Sequence, residues 1–287
     1  MKRREVLERV RRAVPDAYTA GEARAIAFEV AECFCGFSRA EAVADPGAEA
    51  VADEGVLEEA CRRIAAHVPL QYVTGRTEFY GLPFRVGEGV LIPRPETEEL
   101  VQWIAADCAG IAGVCLLDIG TGSGAIAVAL SRLLVAPTVD AADISPDALV
   151  FAAENAAVNG ATVHFVQADA TAPYDTFAGL LPRHRYDVVV SNPPYIPRSE
   201  YASMRDNVRL YEPAGALFVE DADPLLFYRE IGHKAARLLD AGGRLFFEVH
   251  EDYVCGVCTL LSGQGFVGVE CRCDMNGKPR MVRCVKE

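Results

Sequence analysis

Two periodicities divide the chain. Up to about residue 67, apolar positions recur at three- and four-residue spacings, in 5–10, 23–37 and 54–67, where Val56, Leu57, Ala60, Ile64 and Ala65 mark the last stripe. That period predicts amphipathic helices. From Val114 onward short apolar runs alternate with helical stretches. Strands are predicted over 114–118, 138–143, 162–166, 186–191 and 243–250, and helices over 124–134, 146–159, 224–239 and 251–261. Alternation of this kind implies a mostly parallel sheet covered on both faces. The last runs, 265–273 and 280–285, pair across the turn Asp274-Met275-Asn276-Gly277 and add an antiparallel strand. Between the two halves, short segments punctuated by Gly81 and Gly87 read as a β-hairpin. Val90 to Glu98 is then an extended segment entering a helix, whose first turn Glu96, Glu98 and Glu99 suit electrostatically. The expected organisation is a helical domain over 1–67, a linking hairpin over 68–91 and an α/β domain over 92–287.

Composition narrows the class. A chain 51% hydrophobic and 24% charged has the makings of a soluble protein with a real core. Its net charge of −13 argues against a nucleic-acid partner, since duplex binding wants a basic surface. No apolar leader follows Met1-Lys2-Arg3-Arg4-Glu5, and no run is long enough to span a bilayer, so a cytoplasmic location is expected. The ten cysteines are scattered and read as reduced thiols. Cys255, Cys258, Cys271 and Cys273 have the chemistry to hold zinc. The first pair falls on a predicted helix and the second alternates along a predicted strand, so small buried thiols are the simpler expectation and no metal is assigned.

Two strand ends carry the candidate chemistry. The run ending at Val190 delivers Ser191-Asn192-Pro193-Pro194-Tyr195-Ile196-Pro197. Open α/β sheets bind ligands at the carboxyl ends of their strands. Two prolines stiffen the segment and fix Asn192 and Tyr195 in direction. Asn192 offers a carbonyl acceptor, the Pro193 carbonyl is a second, and Tyr195 offers a flat face. Together these suit a planar NH2 group. The other stretch, Asp118-Ile119-Gly120-Thr121-Gly122-Ser123-Gly124, runs from strand to loop to helix. Its G-x-G-x-G spacing differs from the dinucleotide fingerprint, yet it lets backbone approach a ligand at a helix amino terminus. Asp143, at the end of the next strand, can accept hydrogen bonds from both hydroxyls of a ribose. The pair of features points to an adenosine ligand. His250, ending the last predicted parallel strand, is the rival base, but a core or surface histidine accounts for it.

These segments resemble the three signatures of class I S-adenosylmethionine-dependent methyltransferases acting on a planar nitrogen. Over residues 68–250 the chain resembles more narrowly the release-factor glutamine methyltransferases of the HemK/PrmC family. The further matches are Pro69-Leu70-Gln71-Tyr72 with Thr74-Gly75, Glu78-Phe79-Tyr80-Gly81, Leu91-Ile92-Pro93-Arg94-Pro95-Glu96-Thr97-Glu98 and Tyr211-Glu212-Pro213. The resemblance implies a seven-stranded Rossmann-like methyltransferase sheet with a small helical amino-terminal domain that docks the substrate. It implies S-adenosylmethionine bound by Asp118, Gly120, Thr121, Gly122, Ser123, Gly124, Asp143, Asp169, Ala170 and Asn192. It implies methyl transfer to the glutamine of a Gly-Gly-Gln loop in peptide chain release factors, with Asn192, Pro193, Pro194 and Tyr195 holding the amide. No membrane or direct nucleic-acid partner is expected, and a monomer is. One departure stands out: Gln167-Ala168-Asp169-Ala170 lies where relatives often carry an aromatic residue beside the cofactor, and Ala170 cannot stack. The rival readings are an adenine-N6 nucleic-acid methyltransferase, which wants a basic stripe and a target-recognition region, and a non-catalytic cofactor-binding module, against which the intact Asn192-to-Tyr195 segment argues.

Overall fold

The amino-terminal helices begin at side chains that satisfy free backbone N–H groups. The structure, a computed structural model, describes residues 1–287. Thr19 and Ser38 form capping boxes with Glu22 and Glu41, and Asp53 accepts from the N–H groups of Gly55 and Val56. The helices are α1 (Arg3–Ala13), α2 (Ala20–Cys35), α3 (Arg39–Ala44) and α4 (Glu54–Ala65), which bury Val6, Val10, Val30, Leu57 and Ile64. Next comes a short helix, α5 (Leu70–Thr74), which corrects the hairpin expected over 68–91. Pro69 stands at its N-cap position without a side-chain cap, Gly75 ends it at φ 71°, and Tyr72 and Val73 are buried. The hairpin is confined to β1 (Arg76–Phe79) and β2 (Leu82–Arg85).

The chain divides into two compact units, Met1–Arg76 with Arg205–Tyr211, and Thr77–Met204 with Glu212–Glu287. Within the first unit the Tyr211 hydroxyl donates to the Ala66 carbonyl. In the second, helix α6 (Pro95–Asp107) leads to β3 (Cys115–Ile119), α7 (Ala125–Leu133), β4 (Thr138–Asp143) and α8 (Pro146–Val158). Strand β5 (His164–Gln167), helix α9 (Tyr174–Leu180) and strand β6 (Tyr186–Ser191) continue the alternation. After β6 come a two-residue strand β7 (Ile196–Pro197), α10 (Asp206–Arg209), α11 (Ala214–Leu217) and β8 (Phe218–Val219). The chain closes with α12 (Leu226–Leu238), β9 (Leu239–Glu248), α13 (Val254–Gly263), β10 (Phe266–Cys273) and β11 (Pro279–Lys286).

Seven strands form one sheet in the order β10-β11-β9-β6-β3-β4-β5, as expected for the class. β11 pairs antiparallel with both β10 and β9, and every other pairing in the sheet is parallel. Both faces are covered, one by a cluster that includes Phe177, Tyr228 and Val257, the other by one that includes Leu100, Ile126 and Val128. Double coverage is why the strands read as apolar runs. From β3 the sheet grows through β4 and β5 on one side and through β6 and β9 on the other. That reversal is the switch point where open α/β sheets form a crevice. No helix is long and apolar enough to cross a membrane.

Two further expectations from the sequence change. β9 ends at Glu248, so Glu248 is the last ladder residue and His250 lies beyond the strand. Cys255 and Cys258 do stand on α13 and Cys271 and Cys273 on β10, but Cys255, Cys271 and Cys273 are exposed and Cys258 is half-buried, so they are not small core thiols. β10 is the edge strand, with only β11 beside it, which leaves its outward positions in solvent.

Candidate active site

At the switch point, the loop after β3 holds Gly120, Gly122 and Gly124 at φ 77°, 55° and 80°, a region that favours glycine. A Cβ on Gly122 would meet no protein atom within 4 Å, so its face is open. One on Gly124 would come within 3.1 Å of the Ala152 Cβ, so α7 and α8 pack there only because the side chain is a hydrogen. The loop is held from beneath. Thr121 Oγ1 donates to Asp118 Oδ2 at 2.7 Å, and the Asn155 amide donates to the Ser123 carbonyl at 2.9 Å. From the end of β4, Asp143 accepts the Gly122 N–H on Oδ2 at 2.8 Å and the Ser145 N–H on Oδ1 at 2.9 Å.

Asp118 is fully buried and does not line the cavity described below, whereas Thr121 does. Burial, with the charge of Asp143 adding to it, raises its carboxyl pKa from 3.8 to about 7. Between those two values the folded chain holds a proton that the unfolded chain has released, so this group makes stability fall as pH rises through that window. A tenfold difference in proton affinity between the two states is worth about 1.4 kcal/mol, which puts the effect at a few kcal/mol. Denaturant melts at pH 5 and pH 8 should show a smaller loss of stability for Asp118→Asn than for the unaltered chain. Identical losses would remove Asp118 as the source.

The cavity measures about 400 Å³ and opens at the carboxyl ends of β3, β4, β5 and β6. Gly120 to Ser123, Asp143 to Ser145, Ala168 to Thr171 and Ser191 to Pro194 line it, so the two sequence motifs meet in one space. Arg94 and Thr97 add a further wall, as do Phe227 and Ile231 of α12. Buried Glu212 braces the Ile92-to-Arg94 segment: its Oε2 accepts the Ile92 N–H at 3.2 Å and its Oε1 the Arg94 guanidinium at 2.5 Å. This gives the Tyr-Glu-Pro and Ile-Pro-Arg matches a shared physical purpose.

Asn192 lines the cavity, and its Nδ2 donates to Thr97 Oγ1 at 3.2 Å. Thr97 in turn donates to Glu248 Oε2 at 2.6 Å. Tyr195 behaves differently from the flat platform expected of it. The ring lies outside the cavity lining; its hydroxyl donates to Glu248 Oε1 at 3.1 Å and its edge meets His250, with centroids 6.0 Å apart. Burial raises the Glu248 carboxyl pKa, while the hydroxyls of Thr97 and Tyr195 pull it down. His250 is also outside the lining; its Nδ1 accepts the Asp252 N–H at 3.2 Å and its Nε2 lies 3.4 Å from Glu200.

Four residues had no role assigned from the sequence: Thr97 and Glu212, although both lie in matched segments, and Phe227 and Glu248. Glu248 did leave a signal. A carboxylate inside Leu245-Phe246-Phe247-Glu248-Val249, on a strand covered on both faces, must be buried and therefore partnered. Phe227 left none, because an aromatic residue on an amphipathic helix reads as core.

A family model described as a methyltransferase small domain matches residues 97–213. The chain is 41% identical over 218 residues to the release factor glutamine methyltransferase of Flavobacterium psychrophilum, covering 75% of this chain and 74% of that one. It is 41% identical over 236 residues to that of Chlorobaculum tepidum, covering 79% of this chain and 78% of the relative. Among solved structures, a methyltransferase from Pyrococcus furiosus superposes with a TM-score of 0.53 at 17% identity, covering 72% of this chain and 90% of that one. A Thermus thermophilus 16S rRNA N2 G1207 methyltransferase, in complex with AdoMet and guanosine, gives 0.52 at 17%, covering 74% of this chain and 50% of that one. The last two likenesses show the fold alone.

Proposed function

Since the chain belongs to the release factor glutamine methyltransferases, we propose that it methylates the side-chain amide of the glutamine in the Gly-Gly-Gln loop of peptide chain release factors. The observation that carries this reading is the shared cavity: a glycine loop with Asp143 at one end, and Asn192 with Pro193 at the other. S-adenosylmethionine fits the first end. Gly122 presents bare backbone, Asp143 retains lone pairs for ribose hydroxyls, and the α7 amino terminus favours a carboxylate. Thr171 occupies Asp169 Oδ1 from both its N–H and its hydroxyl, which leaves Oδ2 for an amino group. Where Ala170 offers no ring, Phe227 supplies the aromatic part of the lining. When bound, the cofactor supplies a methyl group on a positively charged sulfur.

The chain's own residues orient the acceptor. An amide nitrogen is a poor nucleophile, because its lone pair is delocalised. Asn192 Oδ1 and the Pro193 carbonyl together offer an acceptor for each hydrogen of a primary amide. Held this way the nitrogen is aimed, and the contribution is orientation and electrostatic complementarity rather than strong base catalysis. Methylation makes the amide strongly acidic, so its surplus proton passes to solvent without a dedicated base. Glu248 lies behind Thr97 and is not needed as one.

Asp143→Ala should weaken S-adenosylmethionine binding by about 1–3 kcal/mol, the worth of a charged hydrogen bond. Titration calorimetry on a folded variant checks this, and unchanged affinity would remove Asp143 from the cofactor site. We assign residues 1–67 to docking of the protein substrate, because every residue lining the cavity lies outside them. A chain starting near Val68 should keep cofactor binding and lose most methylation of the release factor. Full activity in a folded truncation would refute the assignment.

A further inference from the structure

We propose that Thr97 and Glu248 are positioning residues that fix which end of the Asn192 amide faces the substrate, and so make the site select an NH2 group. The inference rests on the release-factor reading above and deepens it. Asparagine's two ends differ: one is an acceptor, the other a double donor. Nothing in the shape of the side chain prevents a half-turn that exchanges them, so the choice must come from its neighbours.

The neighbours form a directed chain. In its ionised form Glu248 only accepts. Two hydroxyls converge on it, Tyr195 on Oε1 at 3.1 Å and Thr97 on Oε2 at 2.6 Å. The hydrogen of Thr97 is thereby committed, and Thr97 Oγ1 has only lone pairs left to offer. Asn192 meets that oxygen at 3.2 Å and must present its Nδ2. Its Oδ1 accepts no hydrogen bond from the protein, while the residue lines the cavity. The carbonyl is therefore the end held out to the ligand. Thr97 and Glu248 are both buried, at 4% and 1% exposure, so water does not compete for these bonds. The fold supplies the two ends separately. Thr97 stands in the first turn of α6 and Glu248 at the last ladder position of β9, while Asn192 follows β6 beside it.

A flipped Asn192 would present N–H donors, which suit a carbonyl or a carboxylate and repel an amide's NH2 edge. The hydroxyl hydrogen of Thr97 thus works as a selector for nitrogen acceptors. Removing it leaves Asn192 in place but free to turn.

The test uses the full chain with a release factor and S-adenosylmethionine, comparing Thr97→Val, which keeps the branched shape without the hydroxyl, and Thr97→Ser, which restores the hydroxyl. Turnover should fall roughly tenfold to a hundredfold in Thr97→Val and return to within about threefold in Thr97→Ser. Cofactor affinity by calorimetry should stay within about twofold in both, which a collapse of the site would not permit. Should Thr97→Val fail to fold, Glu248→Gln carries the test: a glutamine can donate to Thr97, releasing the hydroxyl hydrogen toward Asn192, and turnover should fall again. Normal turnover in Thr97→Val, or in Glu248→Gln, overturns the proposal, as does a Thr97→Ser variant as slow as Thr97→Val. The unaltered chain is the control for the reading beneath: failure to label the release factor at all would defeat the release-factor assignment rather than the role of Thr97.

Discussion

Replacement of Asn192 by alanine is expected to slow methyl transfer by roughly a hundredfold or more while cofactor binding changes modestly. The expectation follows from what the residue is asked to do. Its carbonyl is held toward the cavity by a bond through Nδ2 to Thr97, so its orientation is set before the substrate arrives. An interaction of that kind helps most when the amide nitrogen is aligned and gaining positive charge, and losing it appears in kcat more than in binding. Asn192→Asp should fail almost as badly, although it keeps an acceptor. Thr97 offers Asn192 a lone pair, and a carboxylate there would set lone pair against lone pair beside buried Glu248. Steady-state rates with a release factor, paired with calorimetric cofactor titrations, check both variants. Near-normal turnover in either would take Asn192 out of the mechanism.

A comparably large effect is expected when the substrate is altered instead. A release factor whose Gly-Gly-Gln glutamine is changed to glutamate should accept almost no methyl group. Its carboxylate would face Asn192 Oδ1 and the Pro193 carbonyl with no hydrogen to give, leaving two acceptors unpaired. Changing the same glutamine to asparagine keeps the amide but shortens its reach by one methylene. Misplacement on that scale costs about a hundredfold. Comparable labelling of the altered and unaltered factors would show that the acceptor pair does not read the amide.

Much of the architecture was legible in the sequence because burial on both faces of a parallel sheet writes itself as apolar runs. Val188, Val189 and Val190 are all buried, and the run ends where the chemistry begins. The glycine loop was legible because each of its glycines serves a backbone conformation that other residues resist. The direction of Tyr195 was not. Prolines restrain the backbone around it, but the ring's target, Glu248, is supplied by β9, far along the chain. Thr97 stayed hidden for a similar reason: in Pro95-Glu96-Thr97-Glu98 it looks like part of a charged first turn, and only the tertiary fold puts it against Asn192. The short helix at Leu70–Thr74 is hard to see among segments that read as strands, because one turn gives too little periodicity to recognise. The wall formed by Phe227 belongs to the same class, a core-like residue whose exposure to the cavity is decided by where α12 packs.

Transfer of a methyl group to one glutamine of a protein can be read out by incubating the full chain with methyl-labelled S-adenosylmethionine and a purified release factor, then locating the label by peptide mass spectrometry. A single methyl group is expected on the side-chain nitrogen of the Gly-Gly-Gln glutamine. Label at another residue, label on RNA or DNA supplied in its place, or no transfer by a folded, cofactor-binding chain would contradict it.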